Sequence, residues 1–246
     1  STVGAGGCNI SLGTSGTIFI SSEKFGVDPN NALHAFAHAD GGWHLMGCML
    51  SAASCNKWWC GDILGTSDYQ TEQKPIGKDK LGRNRVFFLP YLMGERSPIN
   101  DTNARGTFIG MSMDTTRADL TQAVLEGVAF AIRDSFEVAK SLGVSIPKCM
   151  ICGGGAKSSL WRTIFANVLG IPLTLPQTEQ GPGYGGAVLA MVGCGAFESV
   201  QAACDTLIHV AQTVEPDAEL TARYEERYRK FQQIYPALKN VFPALK

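Results

Sequence analysis

Apolar and polar residues alternate over Cys8 to Ser22, with Ile10, Leu12, Ile18 and Ile20 on one period-two face. Ser11-Leu12-Gly13-Thr14-Ser15-Gly16 interrupts the run, so it predicts strand, glycine-rich turn, strand. A short third strand is expected around Trp43 to Met49. Ser51 to Ile63 then reads as a helix, with Ala52 and Ala53 near its start and Cys55, Trp58 and Trp59 on its apolar face. From Gly65 to Arg85 the chain turns polar without periodicity, which predicts a surface excursion. Val86 to Leu89 is a buried strand candidate stopped by Pro90, before the charged turn Gly94-Glu95-Arg96-Ser97-Pro98. The longest periodic segment, Thr116 to Leu142, places Leu120, Val124, Val128, Ala131 and Ile132 on one helical face and ends at Gly143. A strand over Lys148 to Cys152, a second glycine-rich turn and a helix from Leu160 to Leu169 closed by Gly170 follow. The strand Ile171 to Leu175 leads through a Gly/Pro loop into a small-residue helix, Gly185 to Val192. The charged amphipathic tail, Glu219 to Tyr235, is expected to pack on the outside. Strands alternating with helices predict an α/β fold, and no composition shift marks an internal boundary.

Composition narrows the function. A chain of 246 residues with 45% apolar content is long enough for a sizeable core. No window approaches the roughly 18 apolar residues of a membrane span, and the first residues lack a secretory pattern, so the expected location is the cytoplasm. A net charge of -1 argues against broad binding to nucleic acid or acidic membranes, and favours small-molecule chemistry. The eight cysteines sit mostly in apolar runs of a chain too long to need disulfide staples, and read as reduced thiols.

The chemistry concentrates in the two glycine-rich turns, Ser11 to Gly16 and Gly153-Gly154-Gly155-Ala156-Lys157-Ser158-Ser159. Glycine lets backbone approach phosphate closely, a hydroxyl such as Thr14 or Ser15 adds a donor, and free N–H groups at a helix start attract anions, so together they suggest a nucleotide cradle. Either turn alone has a plainer reading, as a hairpin turn or a tight strand-to-helix connection. Gly181, Gly183 and Gly186 spell the dinucleotide fingerprint, but late in the chain, in a stretch stiffened by Pro182 and without an acidic residue at the end of a following strand. Cys149 and Cys152 point to opposite faces of a strand and read as core. His34, His38 and His44 around Asp40 have metal-ligand residue types, yet Phe36, Trp43 and Leu45 interleave with them, which favours a polar contact over a metal. Glu95 and Arg96 read as an ion pair bracing their turn. Glu126 and Arg133 share a helix face, without the setting of a general base.

In order along the chain, SLGTSG (Ser11 to Gly16), WHLMGCMLSAASCNKW (Trp43 to Trp58), FLPYLMGERSP (Phe88 to Pro98), AVLEGVAFAIRD (Ala123 to Asp134), GGGAKSSLWR (Gly153 to Arg162) and GPGYGGAVLA (Gly181 to Ala190) resemble the C-terminal half of the FGGY carbohydrate kinases, most closely the branch acting on xylulose. The resemblance implies a ribonuclease-H-like, actin-like ATPase fold, a mixed sheet flanked by helices, with residues 1–246 as the C-terminal, nucleotide-binding lobe and the N-terminal lobe absent. It implies ATP and Mg2+, with ATP and sugar in the cleft between lobes, and phosphorylation of a ketose, D-xylulose. Gly13, Thr14, Ser15 and Gly16 match the family's phosphate turn, Gly153, Gly154, Gly155 and Ser158 its adenosine motif, and Ser51 to Ser54 a segment lining the nucleotide from the other side. Gly181 to Gly186 match a late connecting motif that implies close packing. The family's general base is an aspartate upstream of SLGTSG, and Ser1 to Ile10 holds no Asp or Glu. The expectation is therefore a chain with no catalytic residue or metal ligand of its own, inactive alone. Its apolar face would await the first lobe or be covered in a homodimer. The alternatives are a stand-alone, non-catalytic nucleotide- or sugar-binding module, and a kinase of glycerol, gluconate or ribulose.

Overall fold

The computed structural model describes residues 2–4, 6–178 and 181–245. β1 (Cys8–Leu12) and β2 (Gly16–Ser22) form the expected hairpin, with Leu12 opposite Gly16 and Cys8 opposite Ile20. A second hairpin, β3 (His34–Ala37) with β4 (Trp43–Met49), extends the sheet beyond β2. The pattern gives no sign of β3 because this edge strand buries none of its four residues, so its side chains need not alternate. After β4 the chain forms α1 (Ala53–Trp58), which starts two residues later than expected and continues as a π turn over Trp59–Ile63. The stretch expected to be an irregular excursion contains α2 (Tyr69–Gln73), capped by Asp68, and inserts Ile76 and Leu81 into the core. β5 (Phe87–Leu89) pairs with β6 (Thr107–Ile109) in a separate ribbon.

The long periodic segment is α3 (Arg117–Ser141), started by a capping box between Thr116 and Asp119. Every residue from Thr121 to Ile132 is buried, so the helix has core on all sides, not on one face. At Gly127 an added Cβ would stand 2.2 Å from the Phe88 carbonyl oxygen, so only glycine lets β5 lie this close. The chain continues through β7 (Cys149–Cys152), α4 (Ser159–Leu169), β8 (Leu173–Pro176), α5 (Gly181–Gly193), α6 (Val200–Leu207), β9 (Val210–Val214) and α7 (Ala218–Leu238). The main sheet runs β3-β4-β2-β1-β7-β8-β9, with β1, β7 and β8 mutually parallel and the other pairs antiparallel. This is the expected mixed sheet flanked by helices.

Two expectations need correction. The Gly/Pro stretch from Gly181 is the first turn of α5 and not a loop, because the fixed φ of Pro182 suits a helix start. Glu179 and Gln180, also assigned to that loop, lie outside the described residues. Within this chain the glycines of α5 are not a close-packing device: an added Cβ at Gly181, Gly183, Gly185 or Gly186 meets nothing within 4 Å, and only Val188 of this apolar helix is buried. The tail helix α7, in turn, is part of the core. Tyr224, Tyr228 and Phe231 are buried against Phe130, and Arg227 reaches the buried Glu126 at 2.7 Å. Glu126 also accepts from Tyr224 Oη at 2.9 Å and Gln122 Nε2 at 2.7 Å. The paired residue for Glu126 is thus Arg227, while Arg133 bonds Glu137 and Glu225. All eight cysteines are free thiols. Among the described residues no helix is long and apolar enough to cross a membrane.

Removing one partner of a buried ion pair strands the other charge, so Arg227→Met should destabilise the chain by about 3–5 kcal/mol. Urea unfolding measures this. Adding Glu126→Gln to that variant should recover part of the loss, because the stranded charge is then gone.

Candidate functional site

The two glycine-rich turns are neighbours because the strands before them are neighbours. β1 and β7 pair in parallel with Ser11 opposite Cys152, so both chains leave the sheet at the same edge, one into Gly13–Ser15 and the other into Gly153. Gly153 has φ +93°, and an added Cβ would lie 2.7 Å from the Leu12 carbonyl oxygen. The contact requires glycine twice over, for the backbone angle and for the space. Gly155 packs on the Leu12 side chain and the Trp161 ring, which an added Cβ would approach to 2.6 and 3.0 Å. Gly154 is different. An added Cβ there meets nothing within 4 Å, because this residue faces an open cleft of about 970 Å³.

That cleft collects Leu12, Gly13 and Thr14 from the first turn, Gly154, Gly155 and Ser158 from the second, and Ser54 from α1. Ser15 is exposed outside the lining, and Gly16 is buried in β2, where an added Cβ would meet Ala52 Cβ at 3.0 Å. Gly153 does not line this cleft; it is half-buried and borders a neighbouring cavity of about 770 Å³. Ser51 is only 1% exposed, with its hydroxyl buried and unpartnered, so it underlies the cleft and does not line it. The first turn is held from below: the Gly13 carbonyl accepts from Ala53 N at 2.9 Å, and that of Thr14 from Ala52 N at 3.0 Å and Ser54 N at 3.3 Å. These bonds occupy the first amides of α1. Ser158 caps α4, accepting from Trp161 N at 3.1 Å, and donates to Gln73 Oε1 at 2.6 Å.

Sequence reasoning missed the fourth wall. Tyr69, Gln70, Gln73, Lys74 and Ile76, from α2 and the segment after it, also line the cleft. The signal was the N-cap pattern at Asp68, whose Oδ1 accepts from Thr71 N at 3.0 Å. Lys57, Lys74 and Lys157 border the cleft and no carboxylate does among the described residues, so its field favours a polyanion. A nucleotide fits on the observations: open space beside the Gly154 backbone, an exposed Thr14 hydroxyl, basic edges and apolar walls.

The other candidates do not form sites. Among the described residues no three of His, Cys, Asp and Glu are grouped to hold a metal. His38 Nδ1 is 2.8 Å from Asp40, and His44 stacks on Phe19 at 3.8 Å between ring centroids. Cys149 faces Cys8, with their sulfurs 3.1 Å apart, while Cys152 lies beside Asn9. The expected Glu95–Arg96 ion pair is not what braces the charged turn. Glu95, 2% exposed, accepts with Oε1 from the backbone amides of Leu50 at 2.8 Å and Arg96 at 2.7 Å. Burial is the main cause that pushes its carboxyl up to about 7, opposed by those two amides and by the Arg96 charge.

The sheet and its flanking helices place this protein in the actin-like ATPase fold. A xyloylose kinase from Brucella ovis superposes with a TM-score of 0.90 at 38% identity, over 98% of this chain and 49% of that one. The Plasmodium falciparum glycerol kinase with ADP, at 18% identity and a TM-score of 0.79, shares the fold. Residues 8–194 match the FGGY family of carbohydrate kinases, C-terminal domain, and the chain belongs to that family. Xylulose kinase of Escherichia coli (strain K12) is 36% identical over 93% of this chain, and that of Staphylococcus xylosus 32% over 92%. The chain spans about half the length of these curated relatives, 47% of each.

Glu95 carries a pH prediction. Its carboxyl titrates near 7 in the fold against 4.5 for the free group. The folded chain therefore holds a proton that the unfolded chain has released. The associated stability is full below 4.5 and is lost as pH rises through 7, on the order of 3 kcal/mol. Melting temperatures between pH 5 and 8 should fall for the native chain and fall distinctly less for Glu95→Gln.

Proposed function

We propose that this chain is the nucleotide-holding half of an ATP-dependent carbohydrate kinase that phosphorylates a ketose, D-xylulose. The observation that carries the reading is the meeting of both glycine-rich turns in one cleft with basic edges, in a chain 36% identical to a xylulose kinase. In this reading the adenosine lies against the bare backbone of Gly154 and the α4 start at Ser158, and the outer phosphates reach the turn at Gly13, Thr14 and Ser15. Gly155 lines the cleft beside Gly154, Gly16 and Ser51 support these surfaces from below, and Gly153 holds the second turn against Leu12. Mg2+ would be carried on the phosphate oxygens themselves, since the lysines and amides of the cleft donate to phosphate and no carboxylate among the described residues borders it to hold a cation. The binding site for the sugar, and the group that takes its proton, would be supplied by the part of the kinase that the longer relatives carry beyond the matched half. Phosphoryl transfer depends mainly on positioning and on stabilising charge, which is what such a cleft provides.

Two substitutions test the assignment. Gly154→Val fills space the base and ribose need, starting from a Cβ position that meets nothing else within 4 Å, whereas Thr14→Ala removes one hydroxyl near the outer phosphates, a loss of roughly 1–3 kcal/mol with a charged partner. In the complete kinase Gly154→Val should mainly raise KM for ATP, and Thr14→Ala should mainly lower kcat, because that donor acts where charge shifts during transfer. Steady-state kinetics against ATP at saturating xylulose separates them. A folded Gly154→Val with unchanged nucleotide affinity would rule the adenosine placement out.

A further inference from the structure

Gln73 sits on the cleft wall contributed by α2, and its hydrogen bonding fixes which end of its amide is available. Ser158 Oγ already accepts from Trp161 N at 3.1 Å, so its single hydrogen is free to go elsewhere. It goes to Gln73, 2.6 Å away. That separation is normal for O–H···O and short for N–H···O, which assigns the near atom as Oε1 and turns the Nε2 amide group away from Ser158. Nε2 has no protein acceptor among the described residues. Asn56 on the same cleft repeats the arrangement in weaker form, since its Oδ1 accepts from the Cys60 thiol at 3.6 Å. Around these amides the walls are apolar or aromatic: Leu12, Tyr69, Ile76, Leu160 and Trp161. The Gln73–Ser158 bond ties α2 to the start of α4, whereas the Thr14 turn is tied to α1. The cleft thus has a hydroxyl-bearing turn on one side and an amide donor between apolar surfaces on another.

We propose that Gln73, oriented by Ser158, reads the base of the bound nucleotide by donating its Nε2 hydrogen to a ring nitrogen of a purine. The inference rests on the nucleotide reading given above. A flat heteroaromatic ring with in-plane acceptors suits apolar walls around one oriented donor, and a phosphate does not. Ser158 is then a positioning residue. Its cap on α4 and its hold on Gln73 are the same hydroxyl, so helix start and base recognition are coupled through one atom.

The test uses calorimetric binding of ADP and its 1-deaza, 3-deaza and 7-deaza analogues to the chain and to Gln73→Leu and Gln73→Glu. In the native chain one analogue should bind about five- to tenfold more weakly than ADP, the worth of one hydrogen bond. In Gln73→Leu that analogue and ADP should bind alike, a pattern that general damage to the cleft cannot produce. Gln73→Glu, which cannot donate when ionised, should behave as Gln73→Leu and serves if the leucine variant is unstable. Ser158→Thr keeps the hydroxyl and should preserve the native preference. If no analogue shows a penalty that loss of Gln73 erases, the inference is overturned while nucleotide binding stands. If the native chain binds no ADP at all, the nucleotide reading itself fails.

Discussion

The closest backbone approach at the site, Gly153 against the Leu12 carbonyl, is the constraint from which the rest of the cleft follows. A Cβ at Gly153 would be 2.7 Å from that oxygen, so any other residue would push the second turn away from the first. Because β1 and β7 run parallel, the turns that follow them emerge on one edge, and the distance between them is set by this contact. Leu12 is therefore used twice. Its backbone receives Gly153, and its side chain packs under Gly155 and lines the cleft. This is the usual position of a ligand site in an open sheet, outside the carboxyl ends of parallel strands.

Such an edge is only as fixed as the layer beneath it. That layer is α3, buried on all sides through its middle and held to α7 by Glu126, Arg227 and Tyr224. The Trp161 indole donates to the Leu125 carbonyl at 2.8 Å, which ties the helix start bearing Ser158 to the same core. On the first-turn side, Trp59 of the π turn donates to Thr121 at 2.9 Å. The α1 and α4 sides of the cleft thus hang from neighbouring turns of one helix. Their relative position depends on α3 staying straight and on its polar neighbours remaining paired.

The elements with strong periodicity were legible: the first hairpin, β4, α3, β7 and α4 all lie where alternation or helical spacing puts them. The two glycine-rich turns were legible as points of close backbone approach, because the residue type itself reports it, and Gly153 against Leu12 is such a contact. What escaped notice was structure whose stability comes from contacts distant in sequence. β3 is an edge strand with no buried face, and β6 has three residues and needs β5 beside it. α2 is five residues long, too short to be stable without its neighbours, and its Arg117–Glu72 and Ser158–Gln73 contacts come from elsewhere in the chain. α7 looked like a surface helix because Arg227 counts as polar in any pattern. Its partner, Glu126, lies 101 positions away. The same limitation hid the α2 wall of the cleft, since composition marks that stretch as polar and nothing local says what it faces.

The chemistry of the cleft also separates binding from proton transfer. Its walls supply hydroxyls, backbone amides, side-chain amides and three lysines, which can hold a polyanion and steady charge as it moves. The carboxylates with raised proton affinity, Glu95 and Asp134, are committed elsewhere: Glu95 to two backbone amides and Asp134 to the Tyr228 hydroxyl at 2.5 Å. Neither lines the cleft, so their elevated values are the cost of burial and not the tuning of a base. On the proposed reading, a cleft of this composition would orient the nucleotide and leave deprotonation of the acceptor to a group outside it. That is the division of labour expected when the nucleotide and the acceptor sugar are held by opposite halves of a kinase.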